Sequence, residues 1–489
     1  MTDLADGAVE TGRAMRQVPG VIHVHTRMST GQDSLEEILS RARKNGIEAI
    51  LLAENYLLRY EYGLYPWRNL LKRRLEWPSI LQRGPERFLE RVKQAQQEIP
   101  EVLLIPGVEV APYHFWTGSL LQGDLTLHDT QKNLLVIGLE QPQDYLQLPA
   151  LGNRATGRYH ERWGIRAAME GLGLAGGIIL WFWKRKRRVQ VGPFMTSQVK
   201  TYRLLGTIVV AAASLSLADN LLFPSSRLDP YRDTPGIHPY QELIDYANGR
   251  GGIALWSFPE ARDFHRFDYG FLGTVTVKTD PYPLDLFRSH HYTGFGALYA
   301  DNTPLTLPGG GWDGLLQAYC AGRRARPVWG IGEAGLHYEG QAGKRLNDVE
   351  TVFLVPRKGK KELLQALKAG RSYALSRDPA YGLVLEAFQV SQGGKPQVAL
   401  AGEELQVVRG GPWEVRFAIA TTPSRAVPIE VKLIRSGEVV QSWRGLTPYR
   451  GSFQDRSLAG KGKVYYRLDV SGEAPHRVLS NPIFVSDRH

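Results

Sequence analysis

The chain has 489 residues, 43% of them hydrophobic and 22% charged, with a formal net charge of +11 and one cysteine. That length exceeds one ordinary core and predicts two or three domains, while the composition excludes a disordered or fibrous protein. Cys320 alone builds neither a disulfide framework nor a thiolate metal site, and the positive balance favours anionic partners: phosphates, nucleic acid or lipid headgroups.

Residues 1–17 are polar and lack an apolar stretch, so no signal peptide is expected. Residues 20–26 read Gly-Val-Ile-His-Val-His-Thr, an apolar run into two histidines one residue apart. On a strand, residues i and i+2 share a face, so His23 and His25 project side by side and together suit one metal ion. A loop over 27–33 leads to Ser34 and Glu37, a capping box that opens a helix over 35–44 closed by Asn45-Gly46. An apolar strand over 47–53 then ends at Glu54-Asn55. Strand, helix, strand is a βαβ unit, and sites in such folds gather at the carboxyl ends of strands. Residues 56–84 are rich in Tyr, Trp, Arg and Lys and read as an insertion: a membrane-interface segment, a lid or a surface helix. A helix is predicted over 85–97, a strand over 102–105 ending at Pro106-Gly107-Val108-Glu109, and a further strand over 134–139.

Two apolar segments follow, 167–183 with Glu170 as its one charge and 204–223 with Asp219. Each approaches the length that spans a bilayer as a helix. Between them lie Lys184, Arg185, Lys186, Arg187, Arg188, Lys200 and Arg203, with no acidic residue. Apolar segments flanking a basic loop predict a transmembrane helical hairpin. The positive-inside rule places that loop in the cytoplasm and the globular parts on the exterior side, although Arg154, Arg158, Arg162 and Arg166 reduce the asymmetry.

Soluble patterning then resumes. A helix is predicted over 240–248, strands over 251–256 and 327–331, and a helix over 361–369. From residue 383 short alternating strands separated by Gly and Pro turns predict a β-sandwich of about 100 residues.

Taken together, His23-Val24-His25, Ala53-Glu54-Asn55, Pro106-Gly107-Val108-Glu109, 252–259 and 332–337 resemble, in order, the motifs of the PHP (polymerase and histidinol phosphatase) superfamily. The terminal Ser480-Asn481-Pro482-Ile483 stretch is similar to the branch of that superfamily with an added sandwich. The resemblance implies an α/β protein: a distorted (β/α)7 TIM-like barrel over 1–165 and 224–382, interrupted by the hairpin at 166–223 and followed by the β-sandwich at 383–489. It also implies bound divalent metal (zinc, manganese or iron) and hydrolysis of phosphoesters. Several motif positions depart from the family. Thr30 stands for Asp, Asn55 and Asn133 for His, Phe258 for the His of H-P, and Gly335 for the Asp of D-x-H. His23, His25, Glu109 and His337 remain as metal ligands, enough for one ion and too few for a two- or three-metal cluster. Glu54, His114, His128 and Glu333 lie near the motifs as candidates to make up the loss.

The leading expectation is a membrane-anchored PHP-type metal-dependent hydrolase or phosphoesterase with a reduced site, taking a small anionic or phosphoester substrate. The alternative is an inactive PHP pseudoenzyme that binds or scaffolds, with the sandwich recruiting a protein partner. Membrane lipid is an expected partner in both. Specific nucleic-acid binding is not expected, because no recognised nucleic-acid motif accompanies the charge.

Overall fold

The structure is a computed structural model. It describes residues 15–120, 122–156, 163–223, 228–232, 235–270, 273–299, 303–393, 397–408, 411–456, 458 and 462–487; Arg158 and Arg162 lie outside them. The chain is a mixed α/β protein of two compact units. The first comprises 1–57, 78–150 and 233–489, and the second 58–77 and 151–232.

In the first unit, strand Arg16–Val24 pairs in parallel with Ala49–Leu52, which pairs in parallel with Leu103–Ile105. A second sheet runs in the order Glu54–Asn55, Gly107–Val110, Leu134–Ile137, Ile253–Trp256, Gly294–Leu298, Trp329–Gly332. Only Ala53 and Pro106 separate strands of the first sheet from their continuations in the second. Beyond Trp329–Gly332, the Ala334 and Leu336 amides donate to the Ile22 and His23 carbonyls, and the His25 amide donates to the Leu336 carbonyl.

The strands are buried on both faces. Leu135 and Ile137 join one apolar cluster with Ile22, Leu51, Leu255 and Ile331, and Leu134 and Val136 join another. Helices supply the second cluster: Leu35, Ile38, Leu39 and Ala42 of Leu35–Lys44 are buried at the spacing of one helical face. The Ser34–Glu37 capping box forms as the sequence requires.

Within the second sheet, Leu134–Ile137 is the exception to the parallel pairing, running antiparallel to both neighbours. No crossover helix precedes it. The chain leaves Gly107–Val110, forms strands Phe115–Thr117 and Asp124–His128 of a separate four-stranded sheet, and returns directly. The inversion brings Asn133, the residue before this strand, to the same end as Glu109.

The strands beyond residue 382 form two sheets over one apolar cluster containing Phe388, Val415, Phe417, Val431, Leu468 and Val470. One of these sheets is continuous with Arg16–Val24, because Arg477–Ser480 pairs with Ser372–Ser376 and that strand with Val349–Val355. Asn481, wholly buried, accepts from the Gly330 amide at 2.8 Å and donates to the Gly330 and Ser372 carbonyls at 3.1 Å. The Asn of the Ser-Asn-Pro-Ile stretch thus fastens the sandwich to a strand that leads into the site.

The second unit holds helices Trp163–Phe182 and Arg203–Leu221, which pack against each other. They are long and apolar enough to cross a membrane, and only 6% and 17% of their most apolar windows are buried. Ile165, Met169, Leu172, Leu204 and Ile208 are exposed. A Cβ at Gly206 would overlap the backbone of Gly177 and Trp181, so the two helices approach closely where Gly206 has no side chain. Asp219 accepts from the Asn69 and Leu70 amides at 2.7 and 2.9 Å, and Asn220 donates to Glu170.

The structure specifies two of these segments and excludes the surface-helix alternative for one of them. The basic loop is a β-hairpin of strands Lys184–Val191 and Phe194–Thr201, and residues 58–77 are a hairpin, Leu58–Gly63 with Lys72–Trp77, rather than a helix. Alternation such as Arg-Tyr-Glu-Tyr favours strand over helix when cross-strand pairs exist, here Glu61 with Lys72 and Arg74.

Candidate metal centre

Regular alternation does not by itself bring His23 and His25 together. The pairing of Arg16–Val24 with Ala49–Leu52 shifts register between Ile22 and Val24, and His23 has φ 75°. A non-glycine residue there costs about 1–3 kcal/mol, and such bulges re-aim side chains beside functional sites. The imidazole Nε2 atoms end 3.0 Å apart.

Glu109, from Gly107–Val110, completes a buried trio. Its Oε1 is 3.3 Å from His23 Nε2 and its Oε2 3.7 Å from His25 Nε2. One ligand atom from each residue lies within 4.8 Å of the others. Ligands about 2.1 Å from a tetrahedral ion stand about 3.4 Å apart, so this spacing and donor set fit one divalent ion. His23 Nδ1 lies 2.7 Å from Glu333 Oε1. A carboxylate only accepts, so the proton resides on Nδ1 and Nε2 faces the trio, the usual orientation of a metal-binding histidine braced by a carboxylate. Ser257 Oγ and the Phe258 amide donate to Glu333 at 2.6 and 3.1 Å.

Burial alone would lower the His23 pKa, but Glu109 and Glu333 outweigh it and push it up to about 10. Burial, then His337 and His23, hold the His25 pKa well below its ordinary value. Burial would raise the Glu109 carboxyl, yet His23 foremost holds it at about 2. Without an ion, a proton on His23 supplies the positive charge that the carboxylates require. His25 Nδ1 is buried with no hydrogen-bond partner.

Asn133, Asn55, Thr30, Phe258 and Gly335 surround the trio and contact its members or one another. Asn133 and Asn55 donate to Glu109 Oε1 and Oε2 at 2.7 and 3.0 Å, so amide N–H groups cover both carboxylate oxygens. Thr30 Oγ1 donates to Asn55 Oδ1 at 2.6 Å and lies 2.8 Å from His337 Nδ1. Phe258 stacks on His23 with centroids 5.2 Å apart, and a Cβ at Gly335 would overlap the Phe258 ring. The ring of Phe258 therefore fills the space that a side chain at 335 needs.

Of the four expected ligands, His23, His25 and Glu109 converge. His337 stacks face to face on His25, with centroids 4.0 Å apart, and contributes no atom to the trio. Glu54 is buried beneath, accepting from the Thr26 amide and the Thr26 and Ser29 hydroxyls. His128 stacks on Phe115 in the separate four-stranded sheet, and His114 is buried outside the trio. Glu333 is the candidate that joins the site, as the brace of His23. A Cβ at Gly296 would overlap Glu333 Oε2, so Gly296→Ala is expected to displace the brace and weaken divalent-metal binding about tenfold or more, measured by chelator competition.

No protein-family model and no curated protein matches the chain. Among solved structures, it is similar to a two-domain protein containing a predicted PHP-like metal-dependent phosphoesterase from Bacteroides vulgatus, at 11% identity and TM-score 0.37 over 96% of this chain and 95% of that one. It is also similar to a putative metal-dependent phosphoesterase from Bifidobacterium adolescentis, at 15% identity and TM-score 0.29, covering 67% and 90%. An amidohydrolase from Chromobacterium violaceum, with bound sulfate and no metal, matches at 14% identity and TM-score 0.25, covering 66% and 88%.

Proposed function

We propose that this chain is a membrane-anchored, PHP-type metal-dependent hydrolase of the phosphoesterase class, with its metal site reduced to one ion. The observation that carries the reading is the buried trio of His23, His25 and Glu109, with Glu333 bracing His23. The two sheets are read as one seven-stranded distorted barrel. Chain continuity at Ala53 and Pro106 supports closure on one side, and the bonds from 334–336 to Ile22 and His23 support it on the other. His337 is assigned beside the ion, as support for His25 or as a fourth ligand after a small ring movement.

A divalent ion held by the trio would supply Lewis-acid polarisation of a phosphoryl oxygen and acidify a water. The chain's own residues do the remainder. Glu333 fixes the His23 tautomer, Asn55 and Asn133 orient Glu109, and the Phe258 ring keeps water from one face of His23. The test is metal content per chain of the purified full-length protein, together with hydrolysis of bis-p-nitrophenyl phosphate. Metal near one ion per chain with turnover lost in His23→Ala supports the reading. Turnover unchanged in that variant overturns it.

A specific observation favours a second reading, an inactive PHP pseudoenzyme. Asn55, Asn133 and Phe258 already occupy the surroundings of Glu109 and His23 with neutral groups. In that case the site holds an ion or a proton without turnover, and the sandwich serves as a surface for a protein partner. Metal bound without hydrolysis of any phosphoester tested selects this reading.

Membrane anchoring rests on two apolar helices whose side chains face outward, which a water-soluble surface rarely presents on this scale. The basic hairpin between them is assigned to the cytoplasmic face and the first unit to the exterior. Replacing residues 163–221 by a short flexible linker is expected to move nearly all of the protein from the membrane to the soluble fraction, read by carbonate extraction and sedimentation. Full-length protein that stays soluble without detergent would refute the anchor.

A further inference from the structure

A cavity of about 480 Å³ opens at the opposite ends of the strands from the metal trio. Gly252 and Thr293 line it from just before Ile253–Trp256 and Gly294–Leu298, and Arg326 from just before Trp329–Gly332. The trio's supports Ser257 and Glu333 follow the carboxyl ends of the first and third of these strands. A four-residue strand spans about 13 Å, so an occupant here does not touch the trio. The volume lies within the range of small-molecule sites.

The lining is cationic. Arg326 and Lys368 face the cavity with His291, against one carboxylate, Asp245. Arg326 Nε is buried with no hydrogen-bond partner, and Lys368 Nζ donates to the Gly251 carbonyl at 2.7 Å. Among the described residues, neither Arg326 nor Lys368 forms an ion pair with a carboxylate within 4.0 Å. Burial and then Arg324 lower the Arg326 pKa, and burial and then Arg326 lower that of Lys368. A guanidinium beside a second cation in a recess fits the oxygens of a phosphate group, whose negative charge would offset theirs.

We propose that this cavity is an anion site, distinct from the metal trio, that binds a small phosphate-bearing ligand through Arg326 and Lys368. The phosphate comes either from a soluble molecule or from a lipid headgroup. Calorimetry on the full-length protein in detergent, with EDTA present to keep the trio empty, uses inorganic phosphate and pyrophosphate as soluble probes. Calorimetry on the same full-length sample with water-soluble short-chain phosphatidylglycerol, and with the matching phosphatidylcholine as control, tests the headgroup. Saturable binding is expected in one arm. Arg326→Gln and Lys368→Gln should each weaken it about tenfold or more, whereas Asp245→Asn should tighten it severalfold. The opposite sign at Asp245 separates charge recognition from a folding defect. The proposal is overturned if neither phosphate, pyrophosphate nor phosphatidylglycerol binds, or if binding is unchanged in both cation variants.

Discussion

Glu109→Ala should strip the protein of metal, from about one divalent ion per chain after dialysis against zinc or manganese to background. The expectation follows from the number of ligands. The trio supplies two imidazoles and one carboxylate, and among the described residues no other carboxylate joins them. Removing Glu109 also leaves two neutral imidazoles facing an ion, with no anionic ligand in direct contact with it. The same change deprives the Asn55 and Asn133 amides of their acceptor, which costs about 1–3 kcal/mol for a buried unsatisfied group. A stability loss therefore accompanies the metal loss. Glu109→Gln separates them in part: its one carbonyl oxygen still accepts from one of the two amides while the charge is lost, so it should lose less stability than Glu109→Ala yet bind metal far more weakly. Full metal occupancy in Glu109→Gln would show that the ion is not where the trio stands.

Asp313→Ala should destabilise the first unit by about 3–5 kcal/mol, the cost of leaving a buried charge without its partner. Arg467 and Asp313 are both completely buried, with bonds of 2.7 Å from Nε to Oδ1 and 2.6 Å from Nη2 to Oδ2. Tyr465 adds a donor to Oδ1 at 2.8 Å, and Arg467 also reaches the Thr306 carbonyl. Asp313 lies on helix Gly311–Cys320 and Arg467 on the sandwich strand Lys463–Ser471, so the pair fastens one body to the other. Replacing both members by apolar residues, as in Asp313→Leu with Arg467→Met, removes the orphaned charge and should recover most of the loss. Pulse proteolysis in urea reads both variants. A double variant no more stable than Asp313→Ala would mean that the pair contributes through its hydrogen bonds to the loop at 306–307 rather than through charge.

The parts of the site that the sequence made legible are those carried by local pattern. His23-Val24-His25 stood out because two imidazoles close an apolar run, and Glu109 because an acid follows a Pro-Gly turn at a strand end. The βαβ start and its capping box are written in contiguous residues and formed as written. The two apolar helices were equally legible, since length and hydropathy alone define them. His337 was placed near the trio by its motif, but its ring lies against His25, a stacking that spacing does not encode. Sequence proximity offers Glu333 only as a replacement ligand, not as a brace. Its partner His23 is 310 residues away, and the bond depends on the space that Gly296 leaves.

The sequence by itself determined the chemistry on offer, two imidazoles, an acid and a late histidine at strand ends, together with the apolar hairpin and the alternating strands of the sandwich, because hydrophobic period and strand-end chemistry are properties of neighbouring residues. Only the tertiary structure decided that three of those four groups share one centre. It decided too that Asn55 and Asn133 saturate the acid and that Phe258 fills the room opposite Gly335. These are contacts across hundreds of residues, set by a bulge at His23, an inverted strand at Leu134–Ile137 and the absence of a Cβ at two glycines, none of which has a signature within any short stretch of chain.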